Sequence, residues 1–207
     1  MNKTLDTIIF DLGAVLIDWN PRYLYRKIFK TEDEITWFLE NICTSEWNDE
    51  QDAGRSFTEA TEYLVAKHPE WEVPVRAWYD RWHETIQGPI HDTVDILKSI
   101  RESKQYKLYA LTNWSAETFP WALNTFDFLH WFEGIVVSGI EKKRKPHPEF
   151  YQILFDRYKI NPANALFIDD NLKNIEAGKR IGLTTIHFKS PEQLQEELNQ
   201  YGILIKS

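Results

Sequence analysis

The chain has 207 residues, of which 43% are hydrophobic and 27% charged, with a formal net charge of −8. That length suits one large domain, or a domain with an insertion, and leaves ample surface to bury in a core. The negative balance excludes a general nucleic-acid binder, and an anionic substrate would have to be attracted locally against the global field.

No basic and then apolar leader opens the chain, and no apolar run approaches ~18 residues. The sequence therefore reads as that of a soluble, cytoplasmic protein with no membrane partner. On that reading Asn2-Lys3-Thr4 and Asn113-Trp114-Ser115 match the glycosylation pattern by chance. The first structural signal is Thr7-Ile8-Ile9-Phe10, an apolar and β-branched run that predicts a buried strand. It stops at Asp11, with Gly13 close behind. A carboxylate at the C-terminal end of such a strand faces the crevice where open α/β sheets bind ligands, although Asp11 could equally start a turn.

Leu16 to Pro21 leaves the sheet. Asn20 as N-cap and Pro21 at the first helical position predict a helix start. From there to about Gly88 every signal is helical. Leu24, Ile28 and Phe29 form one apolar stripe, and Ile35, Phe38, Leu39 and Ile42 form another behind an acidic first turn. Cys43, the single cysteine, excludes an internal disulfide and reads as a packing residue rather than a nucleophile. Ser56 and Glu59 match a capping box ahead of Ala60, Tyr63 and Leu64. Val75, Trp78, Tyr79 and Trp82 keep helical spacing, with Pro74 marking a helix start or a kink. No strand is predicted between about residues 18 and 88. The segment reads as a small helical bundle, or cap, inserted after the first strand. Its boundaries are placed at 17–88, with the α/β core formed by 1–16 and 89–207. Trp19, Trp37, Trp47, Trp71, Trp78 and Trp82 belong to the insert, most of them filling its core and one or two rimming a pocket.

The remainder alternates helix and strand. Helices are predicted over 91–103, 115–126, 148–158 and 171–181, the last with Gly182 at its C′ position, and a final one from Ser190-Pro191. Strands are predicted over 107–111, 135–137, 165–168 and 184–188. Short connections between alternating elements imply an α/β fold, a Rossmann-like parallel sheet with helices on both faces.

Polar groups then fall at three sequence-distant strand ends: Asp11, Thr112 with Asn113, and Asp169 with Asp170. In a parallel sheet all of them face one edge. Three carboxylates in one crevice repel and are costly to keep ionised, and a divalent cation removes that cost. Oxygen-only ligands suit Mg²⁺. The structural alternative is that Asp169 and Asp170 only begin the next helix.

In order and spacing these stretches resemble the haloacid dehalogenase superfamily, over essentially the full length. Asp11-Leu12-Gly13-Ala14-Val15 is similar to the nucleophile loop, and Leu111-Thr112-Asn113 to the second motif. Lys145-Pro146-His147-Pro148 resembles the third and Phe167-Ile168-Asp169-Asp170-Asn171 the fourth. Phe10-Asp11-Leu12-Gly13 and Asp169-Asp170-Asn171 look most like the branch that includes sugar-1-phosphate phosphatases. The resemblance implies Asp11 as a nucleophile that becomes an aspartyl phosphate. It implies Mg²⁺ held by Asp11, the Gly13 carbonyl and Asp170, with Asp169 as a further carboxylate. Thr112 and Asn113 would hold phosphoryl oxygens, and Lys145 would neutralise charge on them and on Asp11. A helical cap would exclude water and select a small, anionic, phosphorylated substrate.

Two departures stand out. Many phosphatases of this superfamily carry a second Asp two residues after the nucleophile, which protonates the leaving alcohol; here that position is Gly13. Asp18, His147 or His187 could replace it, or the leaving group could be acidic enough to need no donor, as in an anomeric or acyl phosphate. The enzyme could also be weak. An acidic residue usually stands four places after the metal Asp, where this chain has Asn174. The absent acid also suits a 2-haloacid dehalogenase, which attacks carbon without a metal; the paired Asp169 and Asp170 do not, since they would repel a haloacid. A third reading is an inactive interaction module. Lys142-Lys143-Arg144-Lys145 is expected to be a solvated loop with only Lys145 turned inward. Trp47, Arg55 and Trp114 are expected at the pocket rim, and oligomeric state is open.

Overall fold

The computed structural model describes residues 5–204. The Asn2-Lys3-Thr4 pattern lies outside them. Strand β1, Thr7–Phe10, is fully apolar or β-branched and buried along its length. A tight loop follows, and then a short strand β2, Ile17–Trp19. Five helices come next: α1 (Arg22–Tyr25), α2 (Glu32–Asn41), α3 (Ser45–Asp52), α4 (Phe57–Lys67) and α5 (Glu72–Asp80). Strand β3, Ile86–Pro89, closes this segment. The rest alternates: α6 (His91–Ser103), β4 (Lys107–Thr112), α7 (Phe119–Thr125), β5 (Gly134–Val137), α8 (Ser138–Glu141), α9 (Pro148–Tyr158), β6 (Ala165–Asp169), α10 (Leu172–Arg180), β7 (Thr184–His187) and α11 (Pro191–Gln200).

Five strands form one parallel sheet in the order β5-β4-β1-β6-β7, with β1 at its centre. Side chains alternate across it, as the period of two requires. Ile8 and Phe10 of β1 point to one face, where they pack with Leu97 and Ile100 of α6 and Leu194 and Leu198 of α11. Ile9 points to the other, with Phe150 and Leu154 of α9 and Ile175 of α10. This is the predicted α/β sheet with helices on both faces. All five C-terminal strand ends share one edge, and Phe10 lies in register with Ala110 of β4 and Ile168 of β6.

Helices α1 to α5 build a separate apolar cluster around Leu24, Tyr25, Phe38, Trp47 and Trp78. The caps are those the sequence indicates. Thr31 with Glu34 and Ser56 with Glu59 form complete capping boxes at α2 and α4. Asn20 accepts from the Arg22 N–H at 3.0 Å, but Pro21 is the boundary residue of α1.

Three expectations are corrected. Residues 18 to 88 are not free of strand, because β2 and β3 pair antiparallel at the two ends of the segment. Each is only three or four residues long and carries Asp18, Gly88 or Pro89, so no local signal marks a pairing about seventy residues apart. Helix α7 begins at Phe119, not 115; Pro120 sits in its first turn, where its missing N–H costs nothing. Trp82 is not part of the insert's core. It packs on Trp114 and Trp121 in the core above the sheet, with ring centroids 5.7 and 5.6 Å away. Trp37 is 47% exposed and lies against Trp71. Among the described residues no helix is long and apolar enough to cross a membrane.

Candidate active site

The site begins where β1 ends. Asp11 receives backbone support at once: its own N–H donates to the Ile168 carbonyl at 2.8 Å, and its Oδ1 accepts from the Leu12 N–H at 2.7 Å. The loop then turns tightly, with the Leu12 carbonyl accepting from the N–H groups of Leu16 and Ile17 at 2.9 Å. Ala14, not Gly13, takes the left-handed conformation, at φ +55°. For a residue with a Cβ this costs of order 1 kcal/mol, strain held three residues from Asp11.

Lys145 comes from the loop before α9 and is 1% exposed. Its Nζ lies 2.9 Å from Asp11 Oδ1 and 2.7 Å from Asp169 Oδ2. The Asn113 side chain pins the Lys145 backbone on both sides: Asn113 Oδ1 accepts from the Lys145 N–H at 2.9 Å, and Asn113 Nδ2 donates to the Lys145 carbonyl at 3.0 Å. The amide expected to touch substrate is thus occupied in holding the cation.

Asp169 ends β6 fully buried, with both oxygens engaged. Its Oδ1 accepts from the Asn171 N–H at 2.8 Å and Asn174 Nδ2 at 3.1 Å; its Oδ2 accepts from Lys145 and, at 3.2 Å, from Asn174. Asn174, where an acid is usual, is therefore the donor that keeps Asp169 oriented. Asp170 is exposed, and ligand atoms of Asp11, Asp169 and Asp170 lie within 4.8 Å of one another. Thr112, at the end of β4, is fully buried, and its Oγ1 has no hydrogen-bond partner among the described residues. An unpaired buried hydroxyl is costly unless something else supplies the partner.

Charge follows from this packing. Burial foremost, and then the charges of Asp169 and Asp170 against the opposing Lys145, pushes the Asp11 carboxyl up to about 7. Burial pulls the Lys145 ammonium down, but the charges of Asp11 and Asp169 outweigh it and hold it above the usual lysine value. One cation faces three carboxylates, all hard oxygen donors, and an added divalent cation fits that set.

The other candidates are placed elsewhere. Asp18 holds the Tyr23 hydroxyl at 3.0 Å. His147 is exposed at the start of α9, without a side-chain cap bond. His187 Nε2 lies 2.8 Å from the Asp170 carbonyl. Trp47 and Trp114, expected at a pocket rim, are both buried, with Trp47 Nε1 donating to the Ala60 carbonyl and Trp114 packed on Phe119. Arg55 braces the turn after α3, donating to Gln51 Oε1 at 2.8 Å and to the Trp47 carbonyl at 3.0 Å. Cys43 is buried, and burial pushes its thiol up to about 12, which suits packing rather than attack.

Two contacts have no counterpart in the sequence. Arg144 does not point to solvent; its Nη1 pairs with Asp49 Oδ2 of α3 at 3.1 Å. The Phe57 N–H, at the start of α4, donates to Glu117 Oε1 at 2.7 Å. The helical segment is therefore docked against both loops that border the strand-end crevice. Asp49 and Asp52, three apart on α3, could have suggested a docked face, but not its partner.

The chain is similar to known proteins over most of its length. It is 26% identical to a sesquiterpene phosphatase of Aspergillus oryzae over 97% of this chain and 98% of that one. It is 22% identical to a phosphorylated carbohydrates phosphatase of Thermotoga maritima, covering 88% and 84%. Its fold matches a haloacid dehalogenase family enzyme of Bacteroides thetaiotaomicron solved with magnesium and inorganic phosphate. There the TM-score is 0.64, the identity 20%, and the coverage 90% and 95%. The sequence pattern of haloacid dehalogenase-like hydrolases matches residues 8–188, and the chain belongs to that family.

Proposed function

We propose that the protein hydrolyses small phosphomonoesters, sugar 1-phosphates among them, with Mg²⁺ and an aspartyl-phosphate intermediate. The observation that carries this reading is the convergence of Asp11, Asp169 and Asp170 to within 4.8 Å at the sheet edge that also holds the unpaired Thr112 hydroxyl. Full-length likeness to phosphatases supports it.

Asp11 Oδ1 is occupied by Lys145 and the Leu12 N–H, so Oδ2 is the oxygen available to attack phosphorus. The P–O bond to the alcohol breaks as the Asp11–phosphorus bond forms, and water then cleaves the acyl phosphate to regenerate the carboxylate and release phosphate. Thr112 Oγ1 donates to a phosphoryl oxygen. Lys145, held by Asn113 and Asp169, neutralises charge on the transferring group; positioning and electrostatics are what this reaction needs. Asp11, Asp170 and the Gly13 carbonyl would hold the metal, while Asp169 orients Lys145. The metal, when bound, withdraws charge from the phosphoryl oxygens. Residues 17–88 act as the cap that covers the crevice and selects the leaving group.

Gly13 is the one feature that favours carbon attack by a dehalogenase. Three carboxylates repel a haloacid, and the reading proposed here predicts phosphate release but no halide release. A panel of phosphate esters and 2-haloacids, run with and without Mg²⁺, tests it. Phosphate release should require Mg²⁺ and vanish in Asp11→Asn. Halide release without metal would overturn the reading, and so would phosphate release that survives the substitution.

A further inference from the structure

The position that usually supplies a proton to the leaving group is Gly13, and none of its expected replacements is placed for the task. Asp18 is committed to Tyr23, His187 to the Asp170 carbonyl, and His147 lies exposed at a helix start. The geometry points to Asp52, at the end of α3, as the residue that protonates the leaving oxygen and then activates water. This rests on the phosphatase reading above.

Three observations bring the end of α3, and Asp52 with it, to the side of the loop that carries Lys145. First, Asp49 and Asp52 are three residues apart on α3 and so share a helix face. Asp49 pairs with Arg144, and the next residue, Lys145, holds Asp11 Oδ1 at 2.9 Å. Second, the turn after Asp52 approaches the core closely: a Cβ on Gly54 would come within 3.0 Å of Lys142 Cγ and 3.3 Å of the Gly139 carbonyl. Third, the charges of both Asp11 and Lys145 act on the Asp52 carboxyl, in opposite directions. Its carboxyl is half-buried, forms no ion pair among the described residues, and accepts one long hydrogen bond, from Asn48 Nδ2 at 3.4 Å. A half-buried carboxyl so weakly engaged has no evident structural purpose there.

Its surroundings keep it protonated near neutral pH, as a general acid requires. Burial, and next the charge of Asp49, push it up to about 8, with Asp11 adding and Arg144 and Lys145 opposing. Tyr79 of α5, whose hydroxyl accepts from Gln51 Nε2 at 2.6 Å, also faces it. The space at Gly13 is open: a Cβ there would meet nothing within 4 Å. In the first step the Asp52 proton moves to the alcohol oxygen as its bond to phosphorus breaks. In the second, the Asp52 carboxylate takes a proton from the water that attacks phosphorus, returning to the acid form. An anomeric or acyl leaving group is then not required.

The test compares an alkyl phosphate with p-nitrophenyl phosphate, whose leaving group needs no proton, in the Mg²⁺-loaded enzyme. Asp52→Asn should lower the alkyl-to-aryl ratio of kcat/KM about 10²-fold, the lower end of typical general-acid contributions. Adding Gly13→Asp to that variant should recover at least about tenfold of the ratio, because the side chain enters open space. Equal losses on both substrates, which a structural role would give, would overturn the proposal. So would an unchanged ratio. A wild-type enzyme inert toward both esters would overturn the phosphatase reading as well, whereas an active one with an unchanged ratio sinks only the assignment of Asp52.

Discussion

Two neighbouring bases, Lys145 and Arg144, each pair with acids from elsewhere in the chain, and the pairs differ in burial. At the strand ends, Lys145 bridges Asp11 and Asp169 with its side chain fully buried, at 2.9 and 2.7 Å. On the docked helix, Arg144 bridges to Asp49 at 3.1 Å with the two side chains 23% and 40% exposed. The same chemistry has opposite uses in the two places. A buried network cannot be disturbed without leaving an unpaired charge in a low-dielectric interior, so it fixes geometry. A solvent-screened pair contributes little and can part and re-form, which suits a contact between two separately packed parts of the chain.

The largest expected effect comes from breaking the buried member. Lys145→Met should destabilise the protein by about 3–5 kcal/mol in urea unfolding, because Asp11 and Asp169 lose their shared cation. It should also abolish phosphate release. Next is pH. The Asp11 carboxyl is raised to about 7 by burial, against about 3.9 in the unfolded chain. Its contribution to stability is therefore fully present below pH ~4 and is lost as pH rises through ~7. The urea midpoint of the metal-free protein should fall over that window, and added Mg²⁺ should reduce the slope by favouring the ionised carboxylates. A flat profile would show that Lys145 alone compensates the site. Asn174→Ala removes the Nδ2 amide that donates to both oxygens of the buried Asp169 and should cost about 1–3 kcal/mol. Asp49→Asn is the smallest: under about 1 kcal/mol in unfolding. Its effect should appear in KM more than in kcat. A loss as large as that of Lys145→Met would mean that the two networks are one.

Much of the core was legible because its signals are local. An apolar run ending in Asp11, the double acid after 165–168 and the capping residues each announce themselves within a few positions. What was not legible concerned partners. Asn113 read as a ligand for substrate and is bonded to the Lys145 backbone. Trp114 read as a pocket residue and is buried against Phe119. Arg144 read as solvated and reaches Asp49. In each case residue type and chain position are compatible with both states, and only the neighbour brought up from elsewhere in the chain decides between them.

By itself, then, the sequence determined the alternation of strand and helix, the one edge on which Asp11, Thr112 and Asp169 meet, and the absence of an acid at Gly13. These follow from side-chain periodicity and from the parallel sense of the strands. Tertiary structure alone decided that β2 and β3 pair, that Asp169 serves Lys145, and that α3 docks on Arg144 through Asp49. Those outcomes depend on contacts between residues tens of positions apart, whose energies lie in packing and burial and leave no periodic trace in the chain.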